Sequence, residues 1–397
     1  MLLNFKCTNF CSFKDEFNFS MKPGTVRERF EDNVINIKNK KVSKVAVIVG
    51  ENAGGKTSFI RSLDFLKYYI QTDLNVAAIK DLFYLKKDDI PQEFEIDVII
   101  DEKVYVYGII IDNLSVVKEY LYIGNPNQKK EEYTAIFMSD REIINKDKKE
   151  LRNKLFLNPN YVTNDIKKIF ESQTTRKPGL TINLLNKLGI EIIGPFIDWI
   201  NDKLVIKVPK DFALNVYKYL EKNNKDLEII NTIEFLEIFS LVDPSIKKVV
   251  VDEEDPFRET LIIRDIGNNE FPIKLKEDST GVNDFFAWSV EIYKVIYEDA
   301  TLFADELDKV LNSILATRLL NFVKTRAKKG QFIFSTHNVL HINTIDFMKE
   351  QIYFVNKELD SLSSTIYPLS SFKEYRYEKS NVYELYLKGL LGGVPND

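Results

Sequence analysis

Cysteine and histidine are scarce in this chain of 397 residues, with two of each. Cys7 and Cys11 both stand near the start, which excludes a disulfide scaffold and a thiolate zinc site and predicts free thiols in or beside an N-terminal strand. His337 and His341 are four apart, a spacing that can put two ligands on one helix face, yet no third and fourth ligand stand nearby and a zinc reading fails. No stretch of eighteen apolar residues occurs, and no basic segment followed by a long apolar run opens the chain. Neither a membrane helix nor a secretory leader is therefore expected, and the expected compartment is the cytoplasm. Internal repeats, low-complexity linkers and heptad runs long enough for an extended coiled coil are also missing. Nor is positive charge in excess: 55 Lys and Arg face 60 Asp and Glu, so the whole molecule does not attract nucleic acid electrostatically. Basic runs at Lys38 to Lys44, Lys146 to Lys154 and Lys324 to Lys329 leave local contact with a polyanion open, although solvated faces are the commoner use of such runs.

What the chain does have is material for a large core, 28 Phe and 19 Tyr within a hydrophobic fraction of 44%. Leu2 to Phe19 reads as two short strands joined by a turn near Lys14 and Asp15. Val45 to Val49 is a continuous apolar run of the kind buried on both faces of a sheet, and it ends directly in Gly50; Phe59, Ile60, Leu63, Phe65 and Leu66 then follow helical spacing. Phe94 to Ile100, Val104 to Ile111 and Val116 to Tyr122 alternate with the turn pairs Asp101-Glu102 and Asp112-Asn113, an antiparallel pattern. From Arg141 to Leu241 the mixture of Lys, Glu, Asn, Leu and Ile predicts mostly helix. Short strands return at Val249 to Val251, Thr260 to Ile263 and Phe271 to Leu275. The last third alternates: helix from Val282 to Tyr297, strand Thr301 to Ala304, helix from Asn312 to Lys328, strand Gln331 to Ser335, strand Gln351 to Val355. This alternation predicts an α/β fold, a three-layer core with a largely parallel sheet, into which the middle of the chain is inserted. Expected divisions are 1–93 for the first part of the core, 94–140 for an antiparallel β region, 141–247 for a mostly helical lobe and 248–397 for the return to the core.

Gly50-Glu51-Asn52-Ala53-Gly54-Gly55-Lys56-Thr57 fits the eight-position P-loop pattern at every fixed place, between a buried-strand pattern and a helix. Gly50, Gly54 and Gly55 let the backbone curl around phosphates, and the loop from Asn52 to Ser58 offers amides at a helix start. Lys56 is expected to reach the β and γ phosphates and the Thr57 hydroxyl to help hold Mg²⁺. An acidic partner at the end of another buried strand is then required, and Asp305-Glu306 supplies it: Asp305 for the metal, Glu306 as a general base for the attacking water. These acids could instead cap the following helix. His337, at the end of a buried strand, is expected to contact the γ-phosphate or that water.

On these residues the chain resembles ABC-type ATPase heads, within the branch of chromosome-condensation, DNA-break-repair and RecF-like proteins. Asn9-Phe10-Cys11-Ser12-Phe13 is similar to that branch's N-terminal strand motif. Glu277-Asp278-Ser279-Thr280-Gly281 resembles its signature segment, which implies that Ser279 and Gly281 bind the γ-phosphate of a second subunit; Thr280 stands where glycine is commoner. Lys309-Val310-Leu311-Asn312 occupies the place of the dimer-contacting loop, with Asn312 where Asp is usual. A metal-contacting glutamine is implied too, with Gln92 as a candidate. A closer resemblance is to stand-alone ATP-binding proteins of bacterial abortive-infection and phage-defence loci, similar to overcoming-lysogenization-defect nucleases without the nuclease half. Pro91 to Phe94, Tyr105 to Gly108, Glu119 to Tyr122, Ile352 to Val355 and the tail Leu387 to Pro395 carry it. With fewer than fifty residues after Gln351, a separate nuclease domain is not expected.

The resemblance implies ATP and Mg²⁺ as cofactors, a head-to-tail homodimer around ATP, and an effector protein encoded nearby as partner. Alternatives are a DNA repair or maintenance ATPase that touches DNA directly, and a P-loop phosphotransferase, against which the signature segment and Glu306 stand.

Overall fold

The computed structural model describes all residues except 74–89, 113–114, 128–131, 146–149, 174–178, 209–223, 256–258, 268, 310, 343–346, 376, 378–380 and 393–397. At its centre is a six-stranded sheet in the order β11 (Leu204–Lys207), β15 (Thr301–Ala304), β16 (Gln331–Thr336), β5 (Val45–Gly50), β17 (Ile352–Lys357), β18 (Ser364–Pro368). All pairings are parallel except the last, β17 with β18. Every residue of β5, β15 and β16 is buried, as continuous apolar runs require when helices cover both faces.

One of those faces carries α1 (Lys56–Thr72), whose apolar stripe packs under a second sheet. That sheet is antiparallel, seven-stranded, in the order β10 (Glu150–Leu157), β9 (Tyr133–Asn145), β8 (Ser115–Gly124), β7 (Lys103–Asp112), β6 (Gln92–Ile100), β1 (Leu2–Thr8), β2 (Phe17–Ser20). Phe59 on α1 is the rivet: its ring centroid lies 5.1 Å from Phe19, 5.4 Å from Phe17 and 6.2 Å from Phe303 of the central sheet. Burying one such ring stabilises by ~1.5–3 kcal/mol, so the cluster sets the P-loop helix firmly between the two sheets. Asp101 and Glu102, both at positive φ, make the β6–β7 hairpin turn.

Two stretches depart from the expected helical middle. Residues 141–145 and 150–157 are strand, the end of β9 and all of β10, paired antiparallel. Their Lys-rich composition favours neither state locally, and the neighbouring strand edge decides. Four residues, Leu204–Lys207, form β11 and join the central sheet beside β15; so short a run carries no periodic signal. Around them the middle region holds α2 (Asn164–Gln173), α3 (Thr181–Lys187), α4 (Gly194–Asp198), α5 (Asn224–Ile230) and α6 (Ile233–Phe239).

The opposite face of the central sheet is covered by α7 (Thr280–Tyr297) and α8 (Ser313–Arg326), with α9 (Val382–Leu387) packed on Phe354 through Tyr386. A three-stranded antiparallel sheet, β12 (Ile246–Val250), β13 (Leu261–Ile266) and β14 (Asn269–Lys274), leads into α7. β3 (Val34–Ile37) and β4 (Lys40–Ser43) form a small hairpin before β5. The fold is thus mixed α/β with antiparallel sheets and helical insertions around a P-loop core. Cys7 and Cys11 are buried and form no disulfide. No helix among the described residues is long and apolar enough to cross a membrane.

Candidate nucleotide site

The loop after β5 curls at the C-terminal edge of the central sheet, between Gly50 and α1. Gly50 has no room for a side chain, since a Cβ would stand 2.4 Å from the carbonyl oxygen of Val355 on β17. Gly55 adopts φ +121°, a conformation that L side chains rarely take. Gly54 and Gly55 are buried, Asn52 and Thr57 are exposed, and Ser58 sits half-buried in the first turn of α1. Lys56 is 5% exposed and folds back into the loop, its Nζ donating to the carbonyls of Gly50 and Glu51, both at 2.8 Å. Burial pushes its pKa down from 10.5 to about 8, against the opposing pull of Asp305 and neighbouring acids.

Two strand ends converge on this loop. β15 delivers Asp305, 2% exposed, whose Oδ2 accepts from the Thr57 hydroxyl at 2.7 Å. Its Oδ1 accepts from the Ser335 hydroxyl at the end of β16, and the same hydroxyl accepts from the Glu306 amide at 2.8 Å. Glu306 stands at φ +52°, uncommon for a residue with a side chain, so the turn presents its carboxylate by a held backbone. That carboxylate lies between two cations or potential cations: Oε2 is 2.5 Å from Lys309 Nζ and Oε1 is 3.7 Å from His337 Nε2. The pairing raises the pKa of Lys309. His337 in turn has its amide fixed by Asp308 at 3.0 Å and its Nδ1 3.2 Å from Lys56 Nζ. Lys56, Thr57, Asp305, Glu306 and His337 therefore form one connected group. The adjoining hydroxyl and carboxylate of Thr57 and Asp305 are hard oxygen donors of the kind Mg²⁺ takes, and they fit that ion.

Ser279 and Gly281 stand elsewhere, exposed at the start of α7. The Ser279 side chain accepts from the Val282 amide as the helix N-cap, while its own amide donates to Asp278 Oδ1 at 2.7 Å. Arg264 on β13 holds this segment in place, pairing with Asp278 at 2.5 Å and with Asp243 at 2.9 Å. Asn312 caps α8 through the amides of Ile314 and Leu315, which accounts for a short polar side chain there. Gln92, the glutamine implied as a metal contact, makes its described hydrogen bond to the N-terminal strand motif. It is fully buried at the start of β6, and its amide donates to the carbonyl of Asn9.

Ser335, Asp308 and Arg264 escaped the sequence reading as site residues, and Lys309, read there only as part of a dimer-contacting loop, pairs with Glu306. Ser335 carried a signal, a hydroxyl closing an otherwise apolar buried strand; the others act through contacts between separate elements. The basic runs are partly spent on the fold: Lys44 and Lys324 are buried, with Lys44 Nζ donating to the Lys324 carbonyl, and Lys38 pairs with Glu102. Val310, residues 146–149 and the last five residues lie outside the described residues.

A P-loop strand separated from the acid-bearing strand by one strand that is followed directly by histidine, roofed by an antiparallel sheet, defines an ABC-type ATPase head. Residues 45–343 match the family described as "AAA domain, putative AbiEii toxin, Type IV TA system", and the chain belongs to that family. Membership makes it an ATP-binding protein and implies ATP hydrolysis. Among solved structures the chain is similar to an Smc head bound to the C-winged helix domain of ScpA (15% identity, 94% of this chain and 98% of that one, TM-score 0.46). It is similar also to the SMC head domain from Thermotoga maritima (15%, 92% and 98%, 0.42). A third is an Smc head domain with an extended coiled coil bound to the C-terminal domain of ScpA derived from Pyrococcus furiosus (16%, 94% and 97%, 0.41). No curated protein matches the chain.

Proposed function

We propose that the chain is a Mg²⁺-dependent ATPase switch in which two copies close head-to-tail around ATP, and that closure controls a partner effector protein, in bacterial phage defence. Lys56 and the amides from Gly54 to Ser58 hold the phosphates, and Thr57 and Asp305 hold the metal, which when bound would neutralise phosphate charge. Glu306 takes a proton from the attacking water. His337, reaching both Lys56 and Glu306, orients that water against the γ-phosphate.

The observation that carries the two-copy reading is Gly281. A glycine in the first turn of a helix brings no side chain to pack, and among the described residues a Cβ at Gly281 would meet no atom within 4 Å. Exposed beside the exposed Ser279, a missing side chain admits the close approach of something from outside, and the γ-phosphate held by a second copy fits that place. Two such half-sites per chain give a two-fold pair. Effector control follows if the partner binds open and closed pairs unequally.

Light scattering of Glu306→Gln with and without Mg-ATP tests this. A doubling of mass with ATP, lost in Gly281→Arg, is the expected result; a constant monomer at all ATP concentrations sinks the two-copy model. Capture of tagged wild type and Glu306→Gln from the native host then asks whether one protein encoded nearby is enriched differently by the two.

A further inference from the structure

The wall behind the P-loop comes from both ends of the chain, outside the 45–343 stretch that matches the family. Ser364, the first residue of β18, is 3% exposed and its hydroxyl donates to the Gly54 carbonyl at 2.6 Å. Its amide donates to the Ser12 carbonyl at 2.6 Å, and the neighbouring Ser363 hydroxyl accepts from the Lys14 amide at 3.3 Å. The turn between β1 and β2 and the start of β18 thus brace each other directly against Gly54 and Gly55. There is no slack: a Cβ on Gly55 would stand 2.5 Å from the Ser364 hydroxyl and 2.9 Å from that of Ser12.

The peptide between Gly54 and Gly55 is flanked by glycine on both sides, so local sterics leave it free to flip. Because a trans peptide is planar, its C=O and N–H point in opposite directions. A carbonyl drawn outward by Ser364 therefore turns the Gly55 N–H toward the concave side of the loop, where phosphate oxygens need donors. Released, the same peptide can turn its carbonyl inward, and an acceptor facing phosphate repels it.

We infer that Ser364 is a nucleotide-positioning residue: it locks the Gly54–Gly55 peptide in the orientation that binds the phosphate chain, and Ser12 holds Ser364 in place. This rests on the ATP-binding reading of the same loop.

The test is Mg-ATP and Mg-ADP affinity of Ser364→Ala by titration calorimetry, together with steady-state hydrolysis and the melting temperature of the nucleotide-free protein. Loss of one orienting hydrogen bond predicts affinity for both nucleotides weaker by up to about tenfold. Maximal turnover at saturating ATP should stay within about twofold of wild type, since the bond acts on binding. Ser364→Cys keeps a polar hydrogen in nearly the same volume, where Thr would add a methyl to a site without slack, and should bind both nucleotides more tightly than Ser364→Ala. Unchanged ATP affinity in Ser364→Ala overturns the inference, as does an equal loss in Ala and Cys variants. A fall in turnover matched by a fall in melting temperature, with affinity intact, overturns it too. Wild-type binding separates the two levels: if the unmodified protein binds neither nucleotide, the ATP reading itself fails, whereas tight wild-type binding with an indifferent Ser364→Ala removes this inference alone.

Discussion

The ammonium of Lys56 lies 3.2 Å from Nδ1 of His337, a residue 281 positions further along the chain. The contact spans adjacent parallel strands, β5 and β16, whose ends differ by one register step from Thr336 opposite Val49. With its remaining bonds Lys56 satisfies the carbonyls of Gly50 and Glu51, so in this conformation the lysine occupies its own loop. Phosphate entry exchanges these neutral acceptors for charged ones.

Substitution of Lys56 by Ala should weaken ATP binding by about 10–100-fold, the worth of a charge-assisted hydrogen bond, while leaving the fold intact. Equilibrium titration with a fluorescent ATP analogue reads this directly; affinity within a factor of two of wild type would remove Lys56 from the phosphate site.

The depressed pKa of Lys56 gives that binding a pH dependence with a definite sign. Below about 8 the side chain is the ammonium that phosphate requires, and above about 8 the nucleotide-free protein loses that proton. ATP affinity should therefore fall as pH rises through 8, and binding there should take up a proton, seen as buffer-dependent heat in calorimetry. The nucleotide-free protein should behave oppositely in stability. Its Lys56 pays for burial of the charge below 8, and this penalty is relieved as pH rises from about 8 toward 10.5, the unfolded chain then binding more protons than the native one. Lys56→Ala should show neither trend, and an identical pH profile in the variant would exclude this lysine as the source.

Glu306→Gln should keep ATP binding and lose at least ~10²-fold in hydrolysis, because the amide cannot take a proton. Phosphate release and nucleotide affinity, measured separately, distinguish this from a binding defect; hydrolysis at the wild-type rate would exclude Glu306 as the base.

A fold-level expectation concerns Glu119 and Arg141, buried against each other at 3.3 Å beneath α3. Burial pushes the Glu119 pKa up, while Arg141 and the amides of Thr181 and Ile182 pull it down. The same α3 is tied to the end of α1 through Asp73, which accepts from the Leu180 amide at 2.6 Å. Arg141→Ala leaves the carboxylate without its charged partner and should cost about 3–5 kcal/mol. Denaturant unfolding checks it, and a shift below ~1 kcal/mol would mean that the amides of Thr181 and Ile182 and the Tyr107 hydroxyl together satisfy Glu119.

Local physics made much of the chain legible in its sequence. Val45–Val49 is apolar at every position and followed by Gly50, so a doubly buried strand and a phosphate loop could be read without knowing any partner. The same holds for Thr301–Ala304, Gln331–Thr336 and the alternating strands from Gln92 to Gly124, whose patterns repeat within a few residues. Asp305, Glu306 and His337 stood out because polar groups that end buried strands are costly unless used. Tertiary structure alone decided the rest, because those features depend on partners distant in the chain. β10 is strand because β9 offers an edge, and β11 is strand because β15 does; their own compositions leave the choice open. Ser335 serves two acids only after β15 and β16 are in register, Arg264 reaches Asp278 only across a sheet, and Gln92 is used inside the fold because Asn9 packs over it. Likewise Gly55 faces Ser12 and Ser364 because the two ends of the chain fold back to the same loop, a closure that only packing of both sheets against α1 brings about.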